Sequence, residues 1–192
     1  MEGPGEQEDD PGWPEGGNGP VRHRDRVAMT AADAAALLAE SHKLQLATIN
    51  RDGTPHLVTM FYVMLGGQIA FWTYRSSQKA RNLARDPRVT CLVETGEEYF
   101  ELRGVQVVGL VRCVEDPARV LDIGRRVATV TAGMAAEALE EYTTKTARKR
   151  LGYVVEPQRV ISWDHRRLAP PPSRRVPPQG ATGARKDSST DV

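Results

Sequence analysis

A cluster of small hydroxyl and cationic residues follows an aromatic run in FWTYRSSQKARNL, which spans Phe71 to Leu83. Ser76 and Ser77 precede a helical pattern, and Lys79 falls in its first turn. A helix N-terminus presents unpaired N–H groups and a partial positive charge, so a lysine there is unfavourable unless an anion is bound. The segment therefore indicates a phosphate site. An ordinary capped helix with a solvated lysine is the alternative.

The residues before this cluster indicate which kind of ligand would carry the phosphate. Phe71, Trp72 and Tyr74 form an apolar approach, and Arg75 lies beside the hydroxyl groups. Thr73 could hydrogen-bond the edge of a ring. An apolar wall next to an anion site suits a planar ligand that carries a phosphate group. Packing of the aromatic side chains in the core is the alternative interpretation.

The elements that must position this cluster predict a small antiparallel barrel. Asp52-Gly53 and Gly66-Gly67 supply hairpin turns, and Gly104 and Gly109 suit the bulges that close a barrel. Short strands joined by hairpins, with few helices, are typical of such barrels. The predicted strands cover about 44–49, 56–64, 68–74, 88–94 and 100–114, and residues 151–156 and 160–163 form one or two closing strands. Helices are predicted from about 31 to 41 and 77 to 86, with an interrupted helical region from 116 to 150.

Composition limits the class of protein. The chain has 192 residues and a net charge of +1, which suits one domain and gives no overall attraction to nucleic acid or an anionic membrane. The acidic N-terminus lacks a signal-peptide apolar region, and no run approaches the ~20 apolar residues of a membrane span. We therefore expect a soluble cytoplasmic protein that binds neither nucleic acid nor a membrane.

Both ends of the chain are too polar to offset their ordering entropy by burying apolar surface. We predict disordered tails at 1–27 and 169–192 and one folded domain at 28–168. Cys91 and Cys113 lie in strand-like runs and are predicted to be buried thiols. The four histidines and two cysteines show no metal-binding spacing, so no metal site is predicted.

Several motifs between Leu44 and Glu94 occur in an order that resembles the pyridoxamine 5′-phosphate oxidase-like superfamily of flavin- and deazaflavin-binding split barrels. They are Leu46-Ala47-Thr48, Asp52-Gly53-x-Pro55-His56, Thr73-x-x-x-Ser77-x-Lys79-x-x-Asn82-Leu83 and Asp86-Pro87-Arg88-Val89. The resemblance implies a mainly β fold with helices, namely a six-stranded antiparallel split β-barrel. It also implies a homodimer with the cofactor in the groove between the subunits.

The resemblance implies site residues by motif position. Lys79 and Ser77, together with Ser76 and Arg75, would bind the cofactor phosphate, and Asn82 would help to position that helix. The residues that would line the cofactor ring are Val58, Thr59, Met60, Trp72 and Thr73. The implied chemistry is hydride transfer between the cofactor and a small conjugated substrate, for which no catalytic side chain is assigned.

The identity of the cofactor stays open between two candidates. Coenzyme F420, a deazaflavin, is favoured because the family members that bind it have a similar Lys-x-x-Asn-Leu segment. Gln78 also stands where some FMN-binding relatives have a second cation. FMN is the alternative. The segment from Trp163 to Arg167 does not match the substrate-binding Arg-x-His segment of the vitamin B6 oxidase, so we do not expect oxidation of pyridoxamine phosphate.

Two further questions stay open at the level of sequence. A barrel that binds or stores a flavin or haem without turnover is the alternative to an enzyme. A charged segment near the end of the helical region could hold an anionic cofactor tail, although a solvated face is the preferred interpretation. Its cations are Lys145, Arg148, Lys149 and Arg150.

Overall fold

Seven antiparallel strands and four helices occupy residues 23–131 and 135–168, the part of the chain that a computed structural model describes. The strands are β1 (Lys43–Ile49), β2 (Pro55–Phe61), β3 (Val63–Leu65), β4 (Gln68–Tyr74), β5 (Arg88–Thr95), β6 (Arg103–Val114) and β7 (Arg150–Asp164). The helices are α1 (Ala31–Glu40), α2 (Gln78–Arg85), α3 (Pro117–Thr131) and α4 (Ala136–Ala147).

The predicted tails lie mostly outside the described residues, because 1–22 and 169–192 are not among them. The described part does include the last five residues of the segment assigned to the N-terminal tail. His23–Arg26 form a short 3-10 turn, and Val27 is buried. The carbonyl of Val27 accepts a hydrogen bond from the Asp164 N–H at 2.7 Å.

The strands form one curled sheet in the order β2-β1-β5-β6-β7-β4-β3. The edge strands β2 and β3 are consecutive in the chain and are separated only by Tyr62, so the two edges meet at one bent strand. Tyr62 donates its N–H to the carbonyl of His42 at 3.0 Å and its buried hydroxyl to the carbonyl of Leu38 at 2.7 Å. The predicted antiparallel split barrel is confirmed, and the seventh strand arises because the strand predicted at 56–64 is divided here.

The main core fills the inside of the barrel, and a smaller one lies outside it. Inward side chains such as Leu46, Phe71 and Tyr153 pack together with the apolar face of α1. On the outer side of β4 and β7, Trp72 and Ile123 belong to a second cluster that α3 covers. Because side chains alternate between the two faces of a strand, neighbouring residues of β4 serve different cores.

Two strand boundaries differ from the prediction. A turn closed by a hydrogen bond from the Glu101 N–H to the Glu98 carbonyl delays the start of β6 to Arg103. The closing strand β7 is continuous, with a register shift opposite Val108 and Gly109. A Cβ at Gly109 would lie 2.2 Å from the carbonyl oxygen of Glu156, so the predicted glycine bulge is confirmed there.

The cysteine prediction is half right. Cys91 is buried, whereas Cys113, one residue from the end of β6, is exposed. Both are free thiols. None of the described helices combines the length and the apolar character that a bilayer span requires.

Candidate functional site

A capped helix follows β4 directly, as the hydroxyl cluster predicts. The Ser77 side chain accepts a hydrogen bond from the Ala80 N–H at 3.3 Å and is the N-cap of α2. The Ser77 N–H donates to the carbonyl of Tyr74 at 3.0 Å, which fixes the turn between strand and helix. The Thr73 and Ser77 hydroxyl oxygens lie 3.3 Å apart. A hydroxyl predicted to bind the phosphate (Ser77) is therefore adjacent to one predicted to line the ring (Thr73).

Asn82 anchors α2 to the end of β1. Its side chain is fully buried, and its amide donates to the Thr48 hydroxyl at 3.1 Å and to the Asn50 side-chain oxygen at 3.0 Å. Its own amide oxygen accepts from the Gln78 side chain at 2.9 Å. Asn82 therefore acts within the chain and sets the position of the helix. Gln78 supports that anchor.

Lys79 is a partly buried cation without an acidic partner in the described part of the chain. It lies in the first turn of α2. Its pKa is lowered from 10.5, first because burial disfavours the charged ammonium and second because the positive charge of Arg150 is close. A lone cation at a helix N-terminus beside another cation is electrostatically unfavourable until an anion joins them.

Arg150, the first residue of β7, is held between two aromatic rings. It lies opposite Tyr74 in the β4–β7 pairing. Its guanidinium carbon lies 4.1 Å from the ring centroid of Trp72 and 4.2 Å from that of Tyr74. One terminal nitrogen lies 3.4 Å from the Tyr142 hydroxyl of α4. Its Nε atom is buried and has no acceptor among the described residues.

The aromatic residues of β4 divide between the two cores. Phe71 stacks on Tyr153 inside the barrel, with ring centroids 5.3 Å apart. Trp72 is 5% exposed and packs beneath α3, where a Cβ at Gly124 would lie 2.5 Å from its ring. The indole therefore contacts Arg150 and α3. For these two residues the geometry favours the core interpretation over an open apolar wall.

The remaining predicted site residues lie on both sides of this cluster. On β2, Val58 and Met60 are partly buried against the main core, whereas Thr59 is exposed and donates its hydroxyl to Gln45 Oε1 at 3.0 Å. Since β2 pairs with β1, whose last residues hold α2, these side chains lie on the strand next to the helix anchor. No hydrogen bond in the described residues joins them to Ser77 or Lys79.

Arg75 and Ser76 form the exposed turn between β4 and α2. The Arg75 N–H donates to the carbonyl of Lys149 at 3.0 Å. Burial raises the pKa of Cys113 and of Tyr153, and the Arg75 charge offsets part of that rise. The charge of Arg75 therefore affects the pKa of Cys113 and Tyr153. The cation that lowers the pKa of Lys79 is Arg150.

The assembled donors suit an anionic group. Lys79 supplies a cation, and the hydrogen bond between the Thr73 and Ser77 hydroxyls leaves one of their two hydrogens free to donate. No hydrogen bond in the described chain uses the N–H of Gln78 or Lys79, which are among the open donors of the first helical turn. This set fits the phosphate of a flavin-type cofactor.

Sequence reasoning named Arg150 as one of four cations that could hold an anionic cofactor tail, with a solvated charged face preferred. Its place in this cluster depends on the pairing of β4 with β7, which are separated by three helices and two strands in the chain. A cation at the start of a strand was the only local signal. The long-range register that brings it over Trp72 cannot be read from local pattern.

Solved structures with the same architecture come from several proteins. A conserved hypothetical protein from Mycobacterium tuberculosis, Rv2991, is 35% identical with a TM-score of 0.72, over 85% of this chain and 98% of that chain. An F420 reductase is 26% identical with a TM-score of 0.54, over 65% of this chain and 93% of that chain. The haem storage protein HutZ from Vibrio cholerae, at 17% identity, a TM-score of 0.54 and coverage of 69% and 95%, shows the fold alone.

A search among curated proteins found no significant sequence match. The family model described as pyridoxamine 5′-phosphate oxidase matches residues 30–164, which include every strand of the sheet and all four helices. The match therefore covers α2, its anchor and the start of β7. On the fold, the site and this match together, the chain belongs to the pyridoxamine 5′-phosphate oxidase family.

Proposed function

We propose that this protein is an oxidoreductase that transfers a hydride between coenzyme F420 and a small conjugated substrate. The observation that carries the proposal is the partly buried Lys79 ammonium, which has no acidic partner in the described chain. Membership of an oxidoreductase family and the 26% identity to an F420 reductase support it. FMN remains the alternative cofactor.

The chain's own residues would bind and orient the cofactor, and the bound ring would supply the hydride chemistry. Lys79 would attract the phosphate, and the Thr73–Ser77 pair would donate the one hydroxyl hydrogen that their own hydrogen bond leaves free, while Ser77 caps α2. The Asn82 anchor holds these donors in place before the ligand arrives, which lowers the entropic cost of binding. Val58 and Met60 are half-buried apolar side chains of β2, which pairs with the strand that holds the helix anchor, and would line the ring.

We also propose that the protein forms a homodimer through the outer face of β2, β1 and β5. Helix α3 covers the opposite outer side, on β4 and β7, and Leu57 and Phe61 of β2 are 63% and 46% exposed. A second copy would bury these apolar side chains and complete a groove beside the site. We expect Leu57→Glu to shift the protein from dimer to monomer in sedimentation. An unchanged dimer would remove β2 from the interface.

The identity of the cofactor can be tested with the purified protein. We expect an absorbance or fluorescence titration to show saturable binding of F420 that is tighter than binding of FMN. A yellow protein with bound FMN, or tighter binding of FMN, would replace the deazaflavin by a flavin. If neither cofactor binds, the proposed function is wrong.

Turnover distinguishes an enzyme from a barrel that holds a flavin or haem for storage. With reduced F420 bound, we expect a small quinone to oxidise the cofactor faster in the presence of the protein than in its absence. Equal rates, together with saturable binding of haem or flavin, would favour storage. The likeness to HutZ concerns the fold alone, so it does not decide between the two.

A further inference from the structure

We propose that Arg150 is the second cation of the phosphate site, and that Trp72 and Tyr74 hold its guanidinium in the orientation that binding requires. This inference rests on the proposed function. It gives β7 a direct role in cofactor binding and gives the two aromatic residues a positioning role instead of a place under the cofactor ring.

The geometry around Arg150 restricts its guanidinium to one place. The group lies within about 4 Å of two ring centroids, at 4.1 Å for Trp72 and 4.2 Å for Tyr74. Trp72 is itself fixed beneath α3 by its close contact with Gly124. Because the stacked arginine has lost its side-chain freedom already, it would bind an anion with little further entropic cost.

The electrostatic surroundings of Arg150 favour the binding of an anion. Its positive charge lies close enough to Lys79 to contribute to the lowered pKa of that lysine. In the described chain no ion pair neutralises either cation, and the α4 carboxylate of Glu140 is already bound by Arg125. Two like charges repel, and a phosphate between them would convert that repulsion into two attractions.

The donors of Arg150 are mostly unused. A guanidinium has five N–H donors. Among the described residues, Arg150 makes one hydrogen bond with them, a long one of 3.4 Å to the Tyr142 hydroxyl. The Nε–H is buried without an acceptor. An unmade hydrogen bond of a buried charged group is costly, so a ligand that orders acceptors around this arginine would be favoured.

This arrangement also resolves the missing charge on α2. Gln78 replaces the second cation of some FMN-binding relatives and is occupied with Asn82. Arg150 would supply that charge from β7. The site would then present two cations to one phosphate, although α2 itself contributes only one in its first turn.

The experiment compares Arg150→Met with Lys79→Met, which remove one cation each, and with Arg126→Met as a control that removes an exposed α3 cation. Dissociation constants are measured for whichever of F420 and FMN the protein binds, and for its phosphate-free counterpart, the deazaflavin riboside or riboflavin. We expect Arg150→Met to weaken binding of the phosphate-bearing cofactor about 10- to 30-fold, the range of one charge-assisted hydrogen bond. Binding of the phosphate-free compound should change less than about 3-fold.

Tyr74→Leu is a second variant that leaves both cations in place. Tyr74 is 43% exposed, so its replacement should leave the fold intact while it opens one side of the aromatic clamp. We expect it to weaken binding of the phosphate-bearing cofactor about 3-fold and to leave the phosphate-free compound unaffected. No effect on either compound would overturn the positioning role of the clamp.

The outcomes separate this inference from the proposed function. If Lys79→Met weakens phosphate-dependent binding and Arg150→Met does not, Arg150 is a structural residue and only this inference fails. Equal losses of both compounds in Arg150→Met would overturn it too, since support of the fold would explain them. If neither Lys79→Met nor Arg150→Met changes binding of the phosphate-bearing cofactor, the proposed phosphate site itself is wrong.

Discussion

Cations lie at both ends of β7, but they are paired with carboxylates at one end only. At the C-terminal end, Arg166 binds the buried carboxylate of Asp164 with an N–O distance of 2.7 Å, and Arg167 contacts Asp33 at 3.1 Å. At the N-terminal end, Arg150 lies near Lys79, and neither has an acidic partner in the described chain. Residue types alone do not show this difference.

The comparison separates charge that stabilises the fold from charge that is available to a ligand. A cation paired with a buried carboxylate lowers the energy of the folded state, so its loss should destabilise the protein. An unpaired, partly buried cation raises the energy of the folded state. We therefore expect it to serve a purpose other than stability. Binding of an anionic cofactor is the benefit proposed for Lys79.

The largest expected effect on stability comes from Asn82, which anchors α2 next to the unpaired cations. Asn82→Ala removes two hydrogen bonds to Thr48 and Asn50 and leaves buried polar groups unsatisfied. We expect a loss of about 2 kcal/mol in the free energy of unfolding. Urea denaturation measures it.

Arg81→Ala is the matched control, because it changes an exposed side chain of the same helix. We expect it to alter the free energy of unfolding by less than about 0.5 kcal/mol. A loss for Asn82→Ala no larger than that of the control would show that the amide does not hold α2.

The next effect tests the paired end. Arg166→Ala should lower the free energy of unfolding by about 1 kcal/mol at neutral pH, a value reduced by solvent screening because the arginine side chain is 57% exposed. Cofactor affinity should not change, since this residue lies at the other end of β7 from the proposed site. Denaturation and cofactor titration of the same preparation check both expectations.

The dependence of this loss on pH has a defined sign. Hydrogen bonds from Arg166 first, followed by its charge, lower the pKa of Asp164 below 3.8. A lowered carboxyl pKa stabilises the fold above the unfolded value, and that stabilisation disappears as the pH falls through the folded value. The difference between wild type and Arg166→Ala should therefore shrink below about pH 4. A difference that stayed constant into strong acid would contradict the pairing.

The smallest expected effect has the opposite sign. Lys79→Met removes a partly buried cation that Arg150 repels, so the cofactor-free protein should become more stable, by at most about 0.5 kcal/mol after solvent screening. Because burial lowers the pKa of Lys79, this gain is present at neutral pH and shrinks as the pH rises from the lowered folded pKa toward the unfolded value of 10.5. Denaturation without cofactor at pH 7 and pH 10 measures it. A loss of stability would mean that Lys79 has a structural partner.

The sequence predicts those features that depend on neighbouring residues. Asp52-Gly53 and Gly66-Gly67 form turns in which all three glycines have positive φ, and Ser77 caps α2 as expected from its position. These features follow from backbone conformation and local hydrogen bonding, which a short segment determines. The motif order adds the barrel and the family.

Features that depend on long-range pairing could not be predicted in the same way. Trp72 faces α3 and Arg150, whereas its neighbour Phe71 faces the barrel interior. The order of the aromatic residues in the sequence does not show which face of the strand each occupies. The division of the second strand at Tyr62 likewise depends on its contacts with α1 and His42. Tertiary contacts decide such positions.

The affinity of the Lys79→Ala variant for its cofactor tests the central claim most directly. The account predicts that this substitution weakens binding of F420, or of FMN if that is the bound cofactor, by about 2 kcal/mol, or roughly 30-fold. Arg126→Ala, which removes an exposed cation from α3, should leave the affinity unchanged. A Lys79→Ala dissociation constant equal to that of wild type would contradict the assignment of this lysine to an anionic cofactor.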